Sequence, residues 1–439
     1  MTRSIAWGVG AVMTVLALAG VGWLVSRGQV TFESPERQGP PALIESGRGA
    51  QLWLATRQVE TRSYRLPRSR TWILETRYHL RVQAHAPETT QRTWIKELAL
   101  VIERSNDRRV VNAGPVRLLG QERDVVWVWA HDQLLALSAD DASVRADRAR
   151  LEAANPSLTG LFPTSLDEVA WFGGMVVTLV DGRRVRLTLP DFRAEPWTVP
   201  AGQERAFDRA ASMSHTYWGG AYTTADFGVR HTVAGGRWVG LLSEREARDA
   251  EDDANGDNFA GSEWIVDEGR LARRGFWLAT SLGRTPARRA APEPRLQRLE
   301  RLPGTGDYLQ GRMLKGPRAA GEPEWQWRGV SARPAPREPL RFADQGVLVL
   351  FRTRLDEQGQ LGIARTTADY HERWRVLLPI DELQNRWQVG DRLVLMGSAP
   401  GAAGSGGARR REILLTLHGH TGGWSGWDVA TERAVSPNP

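Results

Sequence analysis

Short apolar segments separated by turn residues recur along most of this chain, and they constrain its fold more than any other feature. Val125 to Leu137 and Val169 to Leu189 each contain apolar runs of four to eight residues that are interrupted by polar or glycine pairs. Such runs are typical of β-strands joined by tight turns. No long stretch keeps the 3.6-residue period of a helix. The body of the protein is therefore predicted to be mainly β.

Individual turns can be placed within these segments. The first segment folds back at His131-Asp132, and the second is divided at Gly173-Gly174 and again at a hairpin turn, Asp181-Gly182. Five more strands are predicted at the short intervals of a meander: Val347 to Thr353, Gln360 to Thr366, Trp374 to Leu378, Arg392 to Met396 and Glu412 to Leu417. Helices are predicted only over Asp141 to Ala154, Ala201 to Ala211 and Leu241 to Glu251, and Gly397 to Ala408 has the composition of a mobile surface loop.

The chain contains 19 tryptophans, a large number for a soluble body. Most of them sit inside apolar runs, which favours packing in a β-rich core. Trp127 and Trp129, for example, alternate with valine and so face one side of their strand. The alternative is a platform of exposed rings that binds carbohydrate or peptide.

The N-terminal segment Ile5 to Val25 contains neither charge nor proline. As a helix rising about 1.5 Å per residue it just spans a hydrocarbon core about 30 Å thick. Trp7 and Trp23 lie near its ends, where indole rings favour the head-group level. The small-x-small pattern of a cleaved signal peptide falls inside the apolar run, so an uncleaved anchor is favoured over cleavage. A short cytoplasmic tail, residues 1–4, then implies an inner-membrane, single-pass protein with a periplasmic body.

The chain after the anchor divides by composition. Residues 26–49 contain three prolines and no apolar period, which predicts a tether. A β-rich body follows over residues 50–430, with a tail over 431–439. A proline- and arginine-rich stretch at 284–294 is either a loop or a boundary that divides the body.

Composition excludes several kinds of chemistry. The chain has no cysteine, so disulfides, thiolate metal sites, cysteine nucleophiles and a lipoprotein anchor are absent. The net charge of +7 comes mainly from arginines scattered beside plentiful acids, which disfavours nucleic acid as a partner. Hydrolase and nucleotide-binding motifs are missing. His215, His231 and His371 could pair with an Asp and a Ser, but the sequence does not order them into a triad.

Two polar motifs could hold a metal ion. Asp253, Asn255 and Asp257 alternate as in a calcium loop, but the glycine expected after the third ligand is missing and Glu263 closes the loop one position early. An acidic surface loop is the favoured interpretation. His418 and His420 project to one face, yet no third ligand can be predicted. No catalytic, cofactor-binding or metal-ligating residue is assigned, and no cofactor is predicted.

Two segments share a pattern of apolar strand, short polar turn and apolar strand: WVWAHDQLLALSADDASV (Trp127 to Val144) and LLPIDELQNRWQVGDRLVLMG (Leu377 to Gly397). They resemble blades of quinoprotein-like, irregular β-propellers. With the anchor and the RRGFWLAT segment (Arg273 to Thr280), the layout is similar to an uncharacterised family of membrane-anchored proteobacterial proteins. The resemblance implies about 7 or 8 blades of about 40 to 50 residues each. Paired β-sandwich domains are the alternative architecture, and the family supplies no catalytic residue.

These features favour a non-catalytic, membrane-tethered interaction or scaffold module of the bacterial envelope. Its partners would be the membrane, through Ile5 to Val25, and a protein or envelope polymer. The alternative is an exported ligand-binding propeller or an enzyme of unknown reaction. A cluster of His, Asp and Arg around a deep pocket would distinguish that alternative.

Overall fold

The computed structural model describes residues 29–65, 72–105, 113–215, 228–234, 237–253, 273–279, 296–299, 308–316, 339–354, 359–400 and 410–437. The predicted anchor, Ile5 to Val25, and the predicted boundary at 284–294 lie outside these residues. Within them, no helix is long and apolar enough to cross a membrane. The chain forms two compact units, the first from the described parts of Met1–Gly39, Leu54–Gln83 and Trp94–Thr198, and the second from Pro40–Trp53, Ala84–Thr93 and Val199–Pro439.

The first sheet contains three long strands and three short ones, and residues 54–83 and 94–104 of it belong to the first unit. Its main order is β1-β4-β5-β6, with β2 and β3 also paired to β4. The bounds are β1 (Val30–Phe32), β2 (Glu36–Arg37), β3 (Ala42–Ser46), β4 (Gly49–Arg65), β5 (Trp72–His85) and β6 (Arg92–Arg104). Within 26–49, where the sequence predicts a tether, the chain therefore forms three strands that add to this sheet.

Two four-stranded antiparallel meanders complete the first unit, in the orders β10-β9-β8-β7 and β11-β12-β13-β14. Their elements are β7 (Val116–Glu122), β8 (Val125–Ala130), β9 (Gln133–Ser138), β10 (Val144–Ala146), α1 (Arg148–Ala154), β11 (Val169–Trp171), β12 (Met175–Thr178), β13 (Arg184–Thr188) and β14 (Arg193–Pro196). Short 3-10 turns at Pro156–Leu158 and Leu166–Glu168 precede β11. Helix α1 is shorter than predicted because Val144–Ala146 pairs with β9, and the Asp147 carboxylate caps the helix by accepting from the Arg150 N–H.

Three five-stranded sheets and two helices form the larger part of the second unit, in the orders β15-β21-β22-β23-β24, β16-β17-β18-β19 with β20 on β18, and β25-β26-β27-β28-β29. The elements are α2 (Glu204–His215), β15 (Gly228–Val229), β16 (His231–Ala234), β17 (Arg237–Leu242), α3 (Glu244–Asp253), β18 (Arg273–Ala279), β19 (Leu296–Arg298), β20 (Tyr308–Leu309), β21 (Arg312–Leu314), β22 (Leu348–Arg352), β23 (Leu361–Thr366), β24 (Glu372–Leu377), β25 (Glu382–Val389), β26 (Arg392–Ala399), β27 (Arg411–His418), β28 (Trp424–Asp428) and β29 (Arg433–Val435).

The prediction of a mainly β body is confirmed, and so are its hairpins. β8 and β9 pair antiparallel around His131, whose φ of 60° lies in the left-handed region. β11 and β12 are joined through Gly173-Gly174, and β12 and β13 through the Asp181-Gly182 turn. The alternation of apolar and polar residues predicts these pairs because it fixes which side chains face the core.

Both units have well-packed apolar cores. In the first, Trp127 and Trp129 are fully buried, as their alternation with valine predicts. In the second, one cluster combines residues of β22 and β23 with residues of β26 and β27, among them Leu350, Ile363, Leu395 and Leu415. These side chains come from neighbouring strands of meanders, so mostly local hairpins supply the core.

An early segment of the chain, Ala84–Thr93, belongs to the second unit with the C-terminal strands. The Thr416 hydroxyl donates to the Pro87 carbonyl, and the Ser425 hydroxyl donates to the Thr89 carbonyl. Arg92 forms an ion pair with Glu432 and lies over the Trp427 ring. This turn is therefore held against strands more than 300 residues later in the sequence.

Candidate functional site

Exposed apolar side chains in the described chain are concentrated on the first sheet. Seven of the ten large ones lie on β1, β5 and β6. They are Val30, Phe32, Trp72, Leu74, Ile95, Leu100 and Ile102, exposed by 36 to 60%. Single exposed apolar residues are ordinary on protein surfaces, whereas a contiguous patch of them is typical of an interaction site. Trp72 and Leu74 alternate with Glu75 on β5 and so point to the opposite face from Glu75, which means that the seven residues do not form one patch.

The centre of this sheet carries an ionic group on three neighbouring strands. His79 on β5 contacts Glu60 on β4 through Nε2 at 3.0 Å and Glu97 on β6 through Nδ1 at 2.6 Å. Each ring nitrogen of His79 therefore lies within hydrogen-bond distance of a carboxylate oxygen on a neighbouring strand. Glu60 is 2% exposed, and Arg62 also donates to it. We call Glu60, His79 and Glu97 the ionic centre.

A second carboxylate lies on the same sheet under arginine side chains. Glu75 is 3% exposed and accepts from Arg77 Nε at 2.6 Å and Arg104 Nε at 2.9 Å. The Tyr64 hydroxyl adds a contact at 3.3 Å. The hydrogen bond from Arg104 is the largest influence on the Glu75 pKa and, with that from Arg77, lowers it despite burial. This carboxylate is therefore held ionised and paired.

The pKa of Glu60 is likewise set by burial and by hydrogen bonds from its neighbours, which act in opposite directions. Burial is the largest influence and raises it, but the hydrogen bonds from Arg62 and His79 together outweigh burial and lower it. The buried acids of this sheet are therefore ionised and paired with neighbouring side chains. A partner that covers them does not have to supply a counterion.

Strand register places apolar residues beside the ionic centre. Phe32 pairs with Glu60, and Val30 pairs with Arg62. Paired residues of an antiparallel ladder project to the same face of the sheet. On the opposite edge strand, β6 carries the exposed Leu100 and Ile102. β1 and β6 therefore supply Val30, Phe32, Leu100 and Ile102, while most of the paired charges lie on β4 and β5, an arrangement that a protein or polymer surface could cover.

Sequence reasoning missed this surface, although one signal was available. Glu75, Arg77, His79 and Arg81 alternate along β5 at a period of two. Charged residues at that spacing point to one face of a strand, so a charged sheet face could have been predicted. Their partners on β4 and β6 could not have been predicted, because the local sequence does not determine the register between neighbouring strands.

The predicted histidine pair of the HGH motif lies in a turn after β27. His418 Nδ1 accepts from the His420 backbone N–H at 3.2 Å, and its Nε2 lies 3.2 Å from Asp391 Oδ2. His420 Nδ1 lies 3.4 Å from an Arg365 guanidinium nitrogen. In the described residues no group of three His, Cys, Asp or Glu side chains could hold a metal ion. The motif is used in hydrogen bonds of the turn.

Within the described part of the chain, the remaining candidate residues are not brought together in one site. His231 stacks on Trp238 with ring centroids 5.8 Å apart, and burial lowers its pKa. His371 lies in the turn between β23 and β24, where its backbone N–H donates to the Thr367 hydroxyl. His215 is the last residue of α2. Asp253 ends α3, while Asn255, Asp257 and Glu263 of the calcium-like loop lie outside the described residues.

The RRGFWLAT segment contributes one residue to a buried ion pair. Arg274 is 1% exposed and donates to Glu246 through Nε at 2.8 Å and Nη2 at 2.7 Å. Ser243 and Glu246 form a capping box at the start of α3, since each accepts from the other's backbone N–H. All these groups have partners, so the cluster joins α3 to β18 and has a structural role.

Comparisons with known proteins assign no family to the chain. No protein-family model matches it, and no curated protein matches it. Among solved structures, one match is a Saccharomyces cerevisiae complex of a Dbp5 variant with Nup159, a Gle1 variant, IP6 and ADP. The identity is 9% and the TM-score 0.18, over 90% of this chain and 94% of that chain. At that similarity the match carries no argument about fold or function.

Proposed function

We propose that this protein is a non-catalytic, membrane-tethered interaction module of the bacterial envelope. Ile5 to Val25 would anchor it in the inner membrane, with the body in the periplasm. The surface that binds its partner is the first sheet, where Phe32 pairs with Glu60 of the ionic centre and β6 carries the exposed Leu100 and Ile102. The partner is a protein or an envelope polymer with an apolar surface.

The observation that carries this proposal is the concentration of exposed apolar side chains on one sheet. Fully burying a Leu, Ile or Phe side chain contributes about 1.5 to 3 kcal/mol. A partner that covers several of these residues would therefore gain enough to offset part of the cost of association. The paired acids beneath the arginines need no new counterion when they are covered, so desolvation opposes binding less than isolated charges would.

We further propose that the sheets are blades of an irregular β-propeller with about 7 or 8 blades. The support is the pair of four-stranded antiparallel meanders, β7 to β10 and β11 to β14, whose strands follow chain order as propeller blades do. Paired β-sandwich domains remain the competing architecture. An experimental density map of the body distinguishes one ring of sheets from two separate stacks.

Site-specific photocrosslinking in the native envelope tests the function. A photoreactive amino acid replaces Leu100 or Phe32 in the full chain, and each gives a discrete adduct if the first sheet binds a partner. Val144 and Val180 provide controls, because they are apolar residues of the first unit outside this sheet and are exposed by 49% and 71%. Adducts at Leu100 and Phe32 that also appear with similar yield at Val144 and Val180, or no adducts at all, would contradict the proposal.

The ionic centre offers a second test of the same surface. His79→Gln removes a side chain that contacts both Glu60 and Glu97. We expect the adduct yield from Leu100 to fall several-fold, since the two carboxylates then lose the hydrogen-bonded ring that joins them. His371→Gln is the control, because His371 lies in an exposed turn of the second unit.

A further inference from the structure

One end of the first sheet combines exposed aromatic, apolar and basic side chains. We call residues 63–65 and 72–74, where β4 ends and β5 begins, the hairpin end. Trp72 is 53% exposed and Leu74 is 48% exposed, and Arg65 is also exposed. Arg104, at the end of β6, pairs with Glu75, whose side chain points to the opposite face of β5 from Leu74, and the Arg104 side chain is 48% exposed. Tryptophan and arginine together are typical of surfaces that lie at a membrane interface.

The direction of β1 places the incoming chain beside this end. Phe32 pairs with Glu60 and Val30 with Arg62, so the chain traced backwards runs towards the hairpin end. The Ser63 N–H donates to the Gln29 carbonyl at 2.9 Å, which continues the same course. Three residues, 26–28, separate Gln29 from Val25, the last residue of the predicted anchor. Fully extended, the four steps from Val25 to Gln29 span at most about 14 Å.

This short connection limits how far the hairpin end can be from the bilayer. The head-group layer is about 5 to 8 Å thick on each side of the hydrocarbon core. Arg65 lies three residues beyond Arg62 along β4, so the hairpin end extends about 10 Å further past Val30 on the side from which the chain arrives. The exposed Trp72 and Leu74 are thus within reach of the head groups. The short connection sets no such limit on the distance of Val144 and Val180 from the bilayer.

We propose that the hairpin end lies on the membrane that holds the anchor, with Trp72 and Leu74 in the head-group layer and Arg65 and Arg104 facing anionic phospholipids. This inference rests on the anchor of the proposed function and adds a second membrane contact to it. The contact would fix the orientation of the first sheet relative to the bilayer. The exposed residues further along the sheet, Phe32, Leu100 and Ile95, then remain available to the partner.

The absence of cysteine from the chain permits a direct test with single labels. Leu74→Cys and, as control, Val180→Cys are labelled with an environment-sensitive fluorophore in the full chain. Each protein is reconstituted in vesicles of phosphatidylcholine with phosphatidylglycerol, in which part of the lipid carries bromine near the glycerol end of its acyl chains. We expect fluorescence at position 74 to be quenched about twofold, because bromine at this depth reaches groups in the head-group layer. The label at position 180 should be unaffected.

Each outcome of this experiment either supports or contradicts the contact between the hairpin end and the membrane. Quenching at position 74 that weakens in pure phosphatidylcholine supports contact with anionic head groups, whereas equal quenching in both vesicles refutes the role of the arginines. No quenching at position 74, or equal quenching at 180, overturns the membrane contact while leaving the photocrosslinking test of the partner surface intact. Failure of the full chain to incorporate into vesicles removes the anchor and with it both the tethered function and this inference.

Discussion

The buried histidine His85 should make the stability of the protein fall between pH 7.5 and pH 5. Its side chain is fully buried, and Nδ1–H donates to the Thr90 carbonyl at 2.8 Å. Its ring also packs edge-on against Trp427, with centroids 5.6 Å apart. Burial is the largest influence on its pKa and, although the Thr90 hydrogen bond opposes it, lowers the pKa from 6.5 to about 4. The folded protein therefore keeps this imidazole neutral.

The sign and size of the effect follow from proton linkage. Below pH 6.5 the unfolded chain binds a proton at His85 that the folded chain does not bind until about pH 4. The unfolded state is therefore favoured as the pH falls through this window, and the stability that the neutral histidine allows is present above pH 6.5. With 1.36 kcal/mol per pKa unit, the free energy of unfolding drops by about 2 kcal/mol between pH 7.5 and pH 5.

Urea unfolding of the full chain in detergent, followed by circular dichroism, measures this drop. The wild type is compared with His85→Gln, which is polar but does not titrate in this range. The variant is expected to be less stable at pH 7.5 but to lose about 2 kcal/mol less than the wild type on acidification. Equal pH dependence of the two proteins, within about 0.5 kcal/mol, would show that folding does not lower the pKa of His85 and refute the reasoning.

Three further predictions concern packing and pairing. Trp129→Ala should lower the free energy of unfolding by about 3 to 5 kcal/mol, because the ring is fully buried, whereas Trp72→Ala should have little effect; urea midpoints compare them. Gly120→Ala should cost about 1 to 3 kcal/mol, since a Cβ there would lie 2.2 Å from the Trp171 ring, and thermal unfolding would reveal an error if the variant were as stable as the wild type. Glu246→Ala should cost about 3 to 5 kcal/mol by removing the carboxylate that pairs with the buried Arg274, while Glu244→Ala, at an exposed position, should cost less than about 1 kcal/mol.

Local patterns of the sequence predicted much of the fold. The β character and the hairpins at His131-Asp132 and Asp181-Gly182 follow from alternation and turn chemistry, which act over a few residues. Helix α3 begins three residues later than predicted because the capping box at Ser243 sets its start. The strands within 26–49 were missed because short, polar strands gain their stability from pairing with β4 rather than from their own composition.

The candidate surface was harder to predict for the same physical reason. Glu60, His79 and Glu97 lie on three strands, and only the register between those strands brings them together. Exposed apolar residues such as Leu100 look like core residues in a sequence, since hydrophobicity alone does not show whether a side chain of an edge strand faces the core or the solvent. The HGH histidines offered two possible metal ligands without a third, and in the structure a ring nitrogen of His418 accepts from the His420 backbone N–H while His420 lies beside Arg365.

The attachment of Ala84–Thr93 to the C-terminal strands has a consequence for how the chain folds. Most hairpins of this protein can form as soon as their two strands have been synthesised, because their contacts are local. The hydrogen bonds of Pro87 and Thr89 instead wait for partners 329 and 336 residues later. Closing so long a loop is slow, because chain entropy opposes it before any contact is made. The second unit therefore completes its assembly only after synthesis of the last strands, and until then its early segment depends on protection from proteases and from aggregation.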